Sequence, residues 1–227
     1  MEIKKKDFSY DSYGNYLYTG LQGILMRQNH RILSKGVQNK FNKKILEIGG
    51  GVMPHFSVVD LNGVEEYWIS DCERGFKNFT DNNFYKVKKH HFDFDINYEN
   101  LLQSGNRFTR IIASHVWEHV HDPENVLIKW IKLLEDDGQI DISIPCDPGW
   151  LWRLGQLIGS GKATKMYGLS ISEIELMMTR EHINPCQNLL RIIRFYTNTS
   201  AIFYPTNLPI PDLNLFIFFR INKSNIR

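Results

Sequence analysis

Lys44-Ile45-Leu46-Glu47-Ile48-Gly49-Gly50-Gly51 (KILEIGGG) is the stretch that decides the fold. A short apolar run of strand character ends in three glycines, whose missing Cβ atoms let the backbone turn sharply and approach a flat or charged ligand. Twenty residues beyond Gly51 a second apolar run, Tyr67–Ser70, ends at Asp71. A carboxylate at the end of the neighbouring strand can accept two hydrogen bonds from the vicinal hydroxyls of a ribose. A dinucleotide-binding turn would need a third glycine where Pro54 stands, so pyrophosphate binding and a nicotinamide-dependent reductase are disfavoured. Glu47 beside the turn suits a cationic ligand better than an anionic one.

Outward from this core, residues 85–94, Arg110–Ser114 and Gln139–Ile144 read as further strands. Ala201–Tyr204 and Leu213–Ile221 read as a terminal hairpin around Pro205, Pro209 and Pro211. A helix precedes the first strand, with Leu21, Ile24, Leu25 and Ile32 at helical spacing as far as Gly36. Pro123 opens another, with Val126, Leu127, Trp130, Ile131 and Leu134 on one face, and Gly138 is expected to turn the chain. Asn188–Tyr196 is amphipathic. Strands alternating with helices imply crossover connections and an α/β, mostly parallel sheet with ligands at its carboxyl edge.

The 227 residues are 42% apolar and 13% aromatic, which excludes a disordered chain and fits one domain over residues 1–227. A helical cap is expected over 1–40 and a helical substrate lid over 146–185, where no strand pattern appears. Lys plus Arg (27) nearly balance Asp plus Glu (25), so a charge of +2 gives no field suited to coating nucleic acid. Cys72, Cys146 and Cys186 form no CxxC pair and read as small buried hydrophobes in a reducing, cytoplasmic compartment. The most apolar stretch, Leu213–Ile221, is too short to cross a bilayer, so no membrane partner is expected.

These residues resemble the class I S-adenosylmethionine-dependent methyltransferases, whose E/D-x-G-x-G turn is matched by Glu47, Gly49 and Gly51. The segment ASHVWEHVHDPENVLIKWIKLLEDDGQIDISIP, Ala113–Pro145, looks like the stretch around that family's fourth and fifth strands. The resemblance covers about Lys43 to Pro145 and implies a Rossmann-like, doubly wound, seven-stranded sheet with an antiparallel C-terminal strand. It implies S-adenosylmethionine as cofactor, held by Glu47, Gly49, Gly50, Gly51, Asp71, Cys72, Asp95, Ser114 and His115. Pro54 and His55 depart from the family's small residues after the turn, which implies a reshaped cofactor pocket.

His90, His91, Asp93 and Asp95 supply metal-type donors, but no second cluster completes a shell, and no metal is expected. His115, Glu118 and His119 follow the fourth strand at the rim where cofactor and acceptor meet. His119 is one candidate base and His182, beyond the insertion, the other, because imidazole titrates near neutrality. Trp150, Arg153 and Tyr16 are candidate acceptor contacts, and the stretch from Trp150 to Gly168, with Arg153, Lys162 and Lys165 and no acid, suits a phosphorylated or nucleotide-linked guest. The expected partner is a small molecule, methylated on oxygen, of the kind used in surface polysaccharide synthesis. A noncatalytic methyltransferase-like binding module is the alternative, opposed by the intact Glu47 and Asp71. The oligomeric state is left open.

Overall fold

The computed structural model describes residues 18–51, 54–58, 62–71, 87–91, 98–168 and 170–227, with the backbone alone at 87–91, 160 and 162–167. Seven strands form one sheet: β1 (Lys44–Ile48), β2 (Glu66–Asp71), β3 (Val87–His91), β4 (Phe108–Ser114), β5 (Leu134–Pro145), β6 (Ala201–Tyr204) and β7 (Phe216–Asn222). Their order is β3-β2-β1-β4-β5-β7-β6. The first five pair in parallel, while β7 runs antiparallel to both β5 and β6. The expected α/β architecture with an antiparallel C-terminal strand is therefore present. The order reverses between β1 and β4, the switch point outside which an open sheet of this kind binds its ligand.

The described helices are α1 (Gly20–Ser34), α2 (Tyr98–Gln103), α3 (Pro123–Leu133), α4 (Trp150–Tyr167), α5 (Ile171–Glu181) and α6 (Cys186–Tyr196). Helix α3 starts where Asp122 accepts a hydrogen bond from the Asn125 N–H and Pro123 stands in the first turn. It buries Val126, Leu127, Trp130 and Leu133. Helices α4 and α5 make up the expected insertion, and the Ser170–Glu173 capping box fixes the start of α5.

Strand alternation divides the core. Leu46, Ile48, Ile111, Ala113, Ile140, Ile142, Ile217 and Phe219 belong to one cluster, with α3 and α6 residues packed into it. Ile45, Tyr67, Ile69, Ile112, Phe216 and Phe218 belong to the other, together with Leu33 of α1. That second face also carries a buried polar stripe. Asp141 accepts from Arg110 Nε at 2.6 Å, Arg220 Nε at 2.9 Å and Gln139 Nε2 at 2.8 Å. Both arginines also donate to the Leu33 carbonyl of α1.

Two expectations are corrected here. Of the four apolar positions at helical spacing on α1, Leu25 and Ile32 pack against the core while Leu21 and Ile24 are exposed, and the fully buried residues are Gly23, Asn29, His30 and Leu33. The reason is the polar stripe: Asn29 Nδ2 donates to Ser114 Oγ and Ser143 Oγ at 2.8 and 3.0 Å. Gly138 does not end an element either. Strand β5 begins at Leu134 and passes through Gly138 across a register shift opposite Phe108 and Arg110. A Cβ on Gly138 would stand 2.6 Å from Leu134 Cγ, so the irregular strand needs the glycine there for packing.

Candidate functional site

The carboxyl ends of β1, β2, β4 and β5 converge on one edge of the sheet. At the end of β1, Gly49 and Gly51 have φ values of 69° and 55°, the left-handed region open to glycine. The Gly49 and Gly50 N–H groups donate to the Ser70 carbonyl at 2.8 and 3.2 Å, which ties the turn to β2. The Gly51 N–H donates to Asp71 Oδ2. A Cβ on Gly49 would meet Val116 Cγ2 at 2.1 Å, and one on Gly50 would meet Ile69 Cγ2 at 2.5 Å. At Gly51 the nearest atoms among the described residues, Asp71 Oδ2 and the Gly49 carbonyl, lie at 3.8 Å. The first two glycines are thus demanded by packing, whereas the third leaves an open cradle beside the buried Asp71 carboxylate. This arrangement fits a nucleoside ligand: a close-approach backbone turn next to an acid at the adjacent strand end.

Glu47 supports the turn from beneath. It is 2% exposed, and its Oε1 accepts from the His55 N–H while Oε2 accepts from Tyr67 OH, both at 2.7 Å. Burial raises its pKa to about 7, against the lowering effect of those two hydrogen bonds. His55, a departure from the family pattern, closes an inner chain: its Nδ1 lies 3.2 Å from His30 Nδ1 and its Nε2 lies 2.7 Å from Ser34 Oγ.

A second group stands at the ends of β4 and β5. Glu118 is 1% exposed and lies in a single-turn helix, Trp117–His119. Among the described residues neither of its carboxylate oxygens has a partner in ordinary hydrogen-bond geometry, and imidazoles are its nearest donors. His115 Nδ1 and His119 Nε2 stand 3.5 and 3.7 Å from Glu118 Oε1. The His119 ring meets that of His182 edge to face, with centroids 4.8 Å apart. His182, at the end of α5, has its Nδ1 2.7 Å from Asp147 Oδ2. His119 Nδ1 lies 2.9 Å from the Glu181 carbonyl, the partner to which that nitrogen donates. Trp152 of α4 stacks over both His115 and His182.

Burial pushes Glu118 up, but the surrounding His115, His119 and His182 outweigh it and hold the carboxyl below the usual glutamate value. Burial pushes His182 down, yet its hydrogen bond to Asp147 and the charges of Glu118, Asp147 and Glu181 raise it above the ordinary histidine value.

The structure therefore brings Glu47, Gly49, Gly50, Gly51 and Asp71 together, and His115, His119 and His182 together. Ser114 is engaged by Asn29 and Ser143. Trp150 is 63% exposed, its backbone N–H donating to Asp212 Oδ1, and Arg153 is exposed on α4; the α4 aromatic that reaches the histidines is Trp152. Tyr16, Cys72 and Asp95, like Asp93, lie outside the described residues. Cys146 and Cys186 are buried and unpaired, and burial raises both thiols, consistent with apolar packing. Sequence reading missed Asp147, whose partner is 35 residues away. Among the described residues no helix is long and apolar enough to cross a membrane.

A family model described as a methyltransferase domain matches residues 20–200. Among solved structures, the N-methyltransferase NodS from Bradyrhizobium japonicum WM9 in complex with S-adenosyl-l-homocysteine aligns with a TM-score of 0.56 and 12% identity. That alignment covers 94% of this chain and 97% of that one. Magnesium protoporphyrin IX methyltransferase from Synechocystis PCC 6803, with S-adenosylhomocysteine bound, aligns at 0.55 and 10%, over 94% and 93%. The CurJ carbon methyltransferase aligns at 0.61 and 13%, over 93% of this chain and 58% of that one. Identities this low show a shared fold. No curated protein sequence matches the chain.

Proposed function

Because the chain belongs to the methyltransferase domain family, we propose that it transfers a methyl group from S-adenosylmethionine to an oxygen of a small acceptor. The observation that carries this reading is the open cradle at Gly51 with the Asp71 carboxylate beside it. Gly49, Gly50 and Gly51 would lie along the amino-acid portion of the cofactor, and Asp71 would accept hydrogen bonds from its ribose. Glu47 holds the turn through His55 and Tyr67. When bound, S-adenosylmethionine supplies an electrophilic methyl group on a sulfonium.

The chain's own task is then to place the acceptor and prepare its oxygen. We assign this to His119 and His182, each oriented through Nδ1 so that Nε2 is left to work. Trp152 walls this side of the cleft. Names of structurally similar enzymes include nitrogen and carbon acceptors, so the acceptor atom rests on this chain's own residues. The acid-free stretch bearing Arg153, Lys162 and Lys165 on α4 favours a phosphorylated or nucleotide-linked metabolite, including precursors of surface polysaccharide.

The test is calorimetric titration with S-adenosylhomocysteine, followed by transfer of labelled methyl from S-adenosylmethionine to a panel of sugar phosphates and nucleotide sugars. Saturable cofactor binding with label on one acceptor class is expected. Absence of cofactor binding would end the reading, and binding without transfer to any acceptor would leave the noncatalytic module.

A further inference from the structure

We propose that Glu118, His119 and His182 form a binding site for one divalent first-row transition-metal cation, with zinc as the type case. One ligating atom from each residue lies within 4.8 Å of the others. Tetrahedral ligands around zinc sit roughly 3.4 Å apart, since each bond is about 2.1 Å, so a small side-chain closure completes the set. Two imidazoles and one carboxylate form a borderline donor set that suits zinc, iron, cobalt or nickel better than magnesium or calcium.

Two independent features point to a cation here. Glu118 is buried, and among the described residues the nearest donors to its carboxylate are the imidazoles of His115 and His119, at 3.5 and 3.7 Å from Oε1 and beyond ordinary hydrogen-bond geometry. A buried carboxylate so weakly satisfied is costly unless a positive charge faces it. In addition, both histidines carry the outer contact that metal-bound imidazoles carry, and a cation at their Nε2 atoms would take over the preparation of the acceptor oxygen assigned to them above. His182 Nδ1 is held by the Asp147 carboxylate and His119 Nδ1 by the Glu181 carbonyl, which fixes both tautomers with Nε2 as the free lone pair. The Asn184 side chain, which donates to the Val120 carbonyl at 2.6 Å, and its backbone N–H on the Glu118 carbonyl lock the two contributing loops together.

Three protein ligands leave a coordination position open. Resting on the function proposed above, that position takes the acceptor hydroxyl, whose O–H bond breaks on the cation while its proton leaves to water, so that the acceptor presents an alkoxide. His119 and His182 would then prepare the acceptor oxygen through the cation they hold, which specifies the role assigned to them above.

The experiment uses the full-length chain stripped with a chelator and titrated with Zn²⁺ against a chromophoric competitor, with Co²⁺ as a spectroscopic probe. One Zn²⁺ per chain is expected, together with visible Co²⁺ absorption. Binding should weaken more than about 100-fold in His182→Ala and in Glu118→Gln, and fall likewise in His119→Ala. His119 has the most exposed side chain of the three, so His119→Ala stays informative if Glu118→Gln fails to fold. No saturable Zn²⁺ binding, or equal affinity in wild type and His119→Ala, overturns the site. S-adenosylhomocysteine binding is measured in the same samples. Loss of that binding with Zn²⁺ retained refutes the methyltransferase reading alone, and the converse refutes the cation site alone.

Discussion

His182 and Asp147 join the two ends of the helical lid: Asp147 follows β5, His182 closes α5, and the imidazole Nδ1 sits 2.7 Å from the carboxylate. The same connection is reinforced where the Asp147 carbonyl accepts from the Cys186 N–H at 2.9 Å. The helical insertion is therefore anchored through a residue assigned to the acceptor side, so the contact that holds the insertion also orients that residue. Asp147→Asn keeps the shape of this contact and removes its charge. It should lower kcat/KM by about 10- to 100-fold, as loss of an orienting partner does, while S-adenosylhomocysteine affinity stays at the wild-type value. A matching fall in cofactor affinity would assign Asp147 to general lid stability instead.

At the cofactor turn the glycines separate by what surrounds them. Gly51→Ala meets no atom of the described residues nearer than 3.8 Å and carries the strain of a positive φ, about 1–2 kcal/mol of stability. Its new methyl group would stand in the cradle, so cofactor affinity should fall by more than the fold loses. Asp71→Ala should weaken S-adenosylhomocysteine binding by about 1–3 kcal/mol, the cost of leaving hydrogen-bond donors without their acceptor. Calorimetry on both variants, beside thermal unfolding of each, checks the pair. Unchanged affinity in Asp71→Ala would remove that residue from the cofactor site.

Much of the sheet is legible in sequence because its strands are apolar runs stopped by glycine, aspartate or proline, as at Gly49, Asp71 and Pro145. The rim residues His115, Glu118 and His119 are legible too, since they follow a strand end directly. What stays hidden depends on contacts made at long range. Asp147 pairs with a residue across two helices, and Trp152 reaches the histidines while the neighbouring Trp150 faces solvent. Periodicity finds only part of the packed face of α1, Leu25 and Ile32, for a related reason. That face meets Arg110 and two serines, so polar Asn29 and His30 are buried there beside Leu33. The metal-type donors of HHFDFD, from which no metal is expected, lie outside the described side chains, whereas Glu118 and His119 converge, among the described residues, with His182, more than sixty positions away in sequence.

The Arg110–Asp141–Arg220 group gives a prediction about the scaffold alone. Asp141 is 1% exposed and receives both guanidinium groups, which in turn bind the Leu33 carbonyl and so fasten α1 to the sheet. Asp141→Ala leaves buried Arg110 without its counter-charge and should cost about 3–5 kcal/mol. Denaturant unfolding measures it through a lowered midpoint at an unchanged slope. A midpoint within error of wild type would mean that water or another acid replaces Asp141.

Glu47 makes stability depend on pH in a direction opposite to most carboxylates. Burial raises its folded pKa from about 4.5 to about 7, while in the unfolded chain it titrates at the ordinary value. Between those limits the folded state holds a proton that the unfolded state has released. This stabilising contribution is full below pH 4.5 and is lost as pH rises through 7. At about 1.4 kcal/mol per pKa unit, the loss amounts to roughly 3 kcal/mol. His30, lowered by burial to about 4, and His55, lowered well below its ordinary value, act the other way, since below pH 6.5 the unfolded chain binds protons that they refuse. The wild-type curve therefore mixes both signs, and a difference measurement separates them. Glu47→Gln removes one titration and leaves both histidines. The stability of Glu47→Gln relative to wild type should rise between pH 5 and pH 8 by an amount of that order, read from denaturant midpoints across the series. A difference independent of pH would show that Glu47 is ionised throughout, with Tyr67 OH and the His55 N–H sufficient to hold its charge.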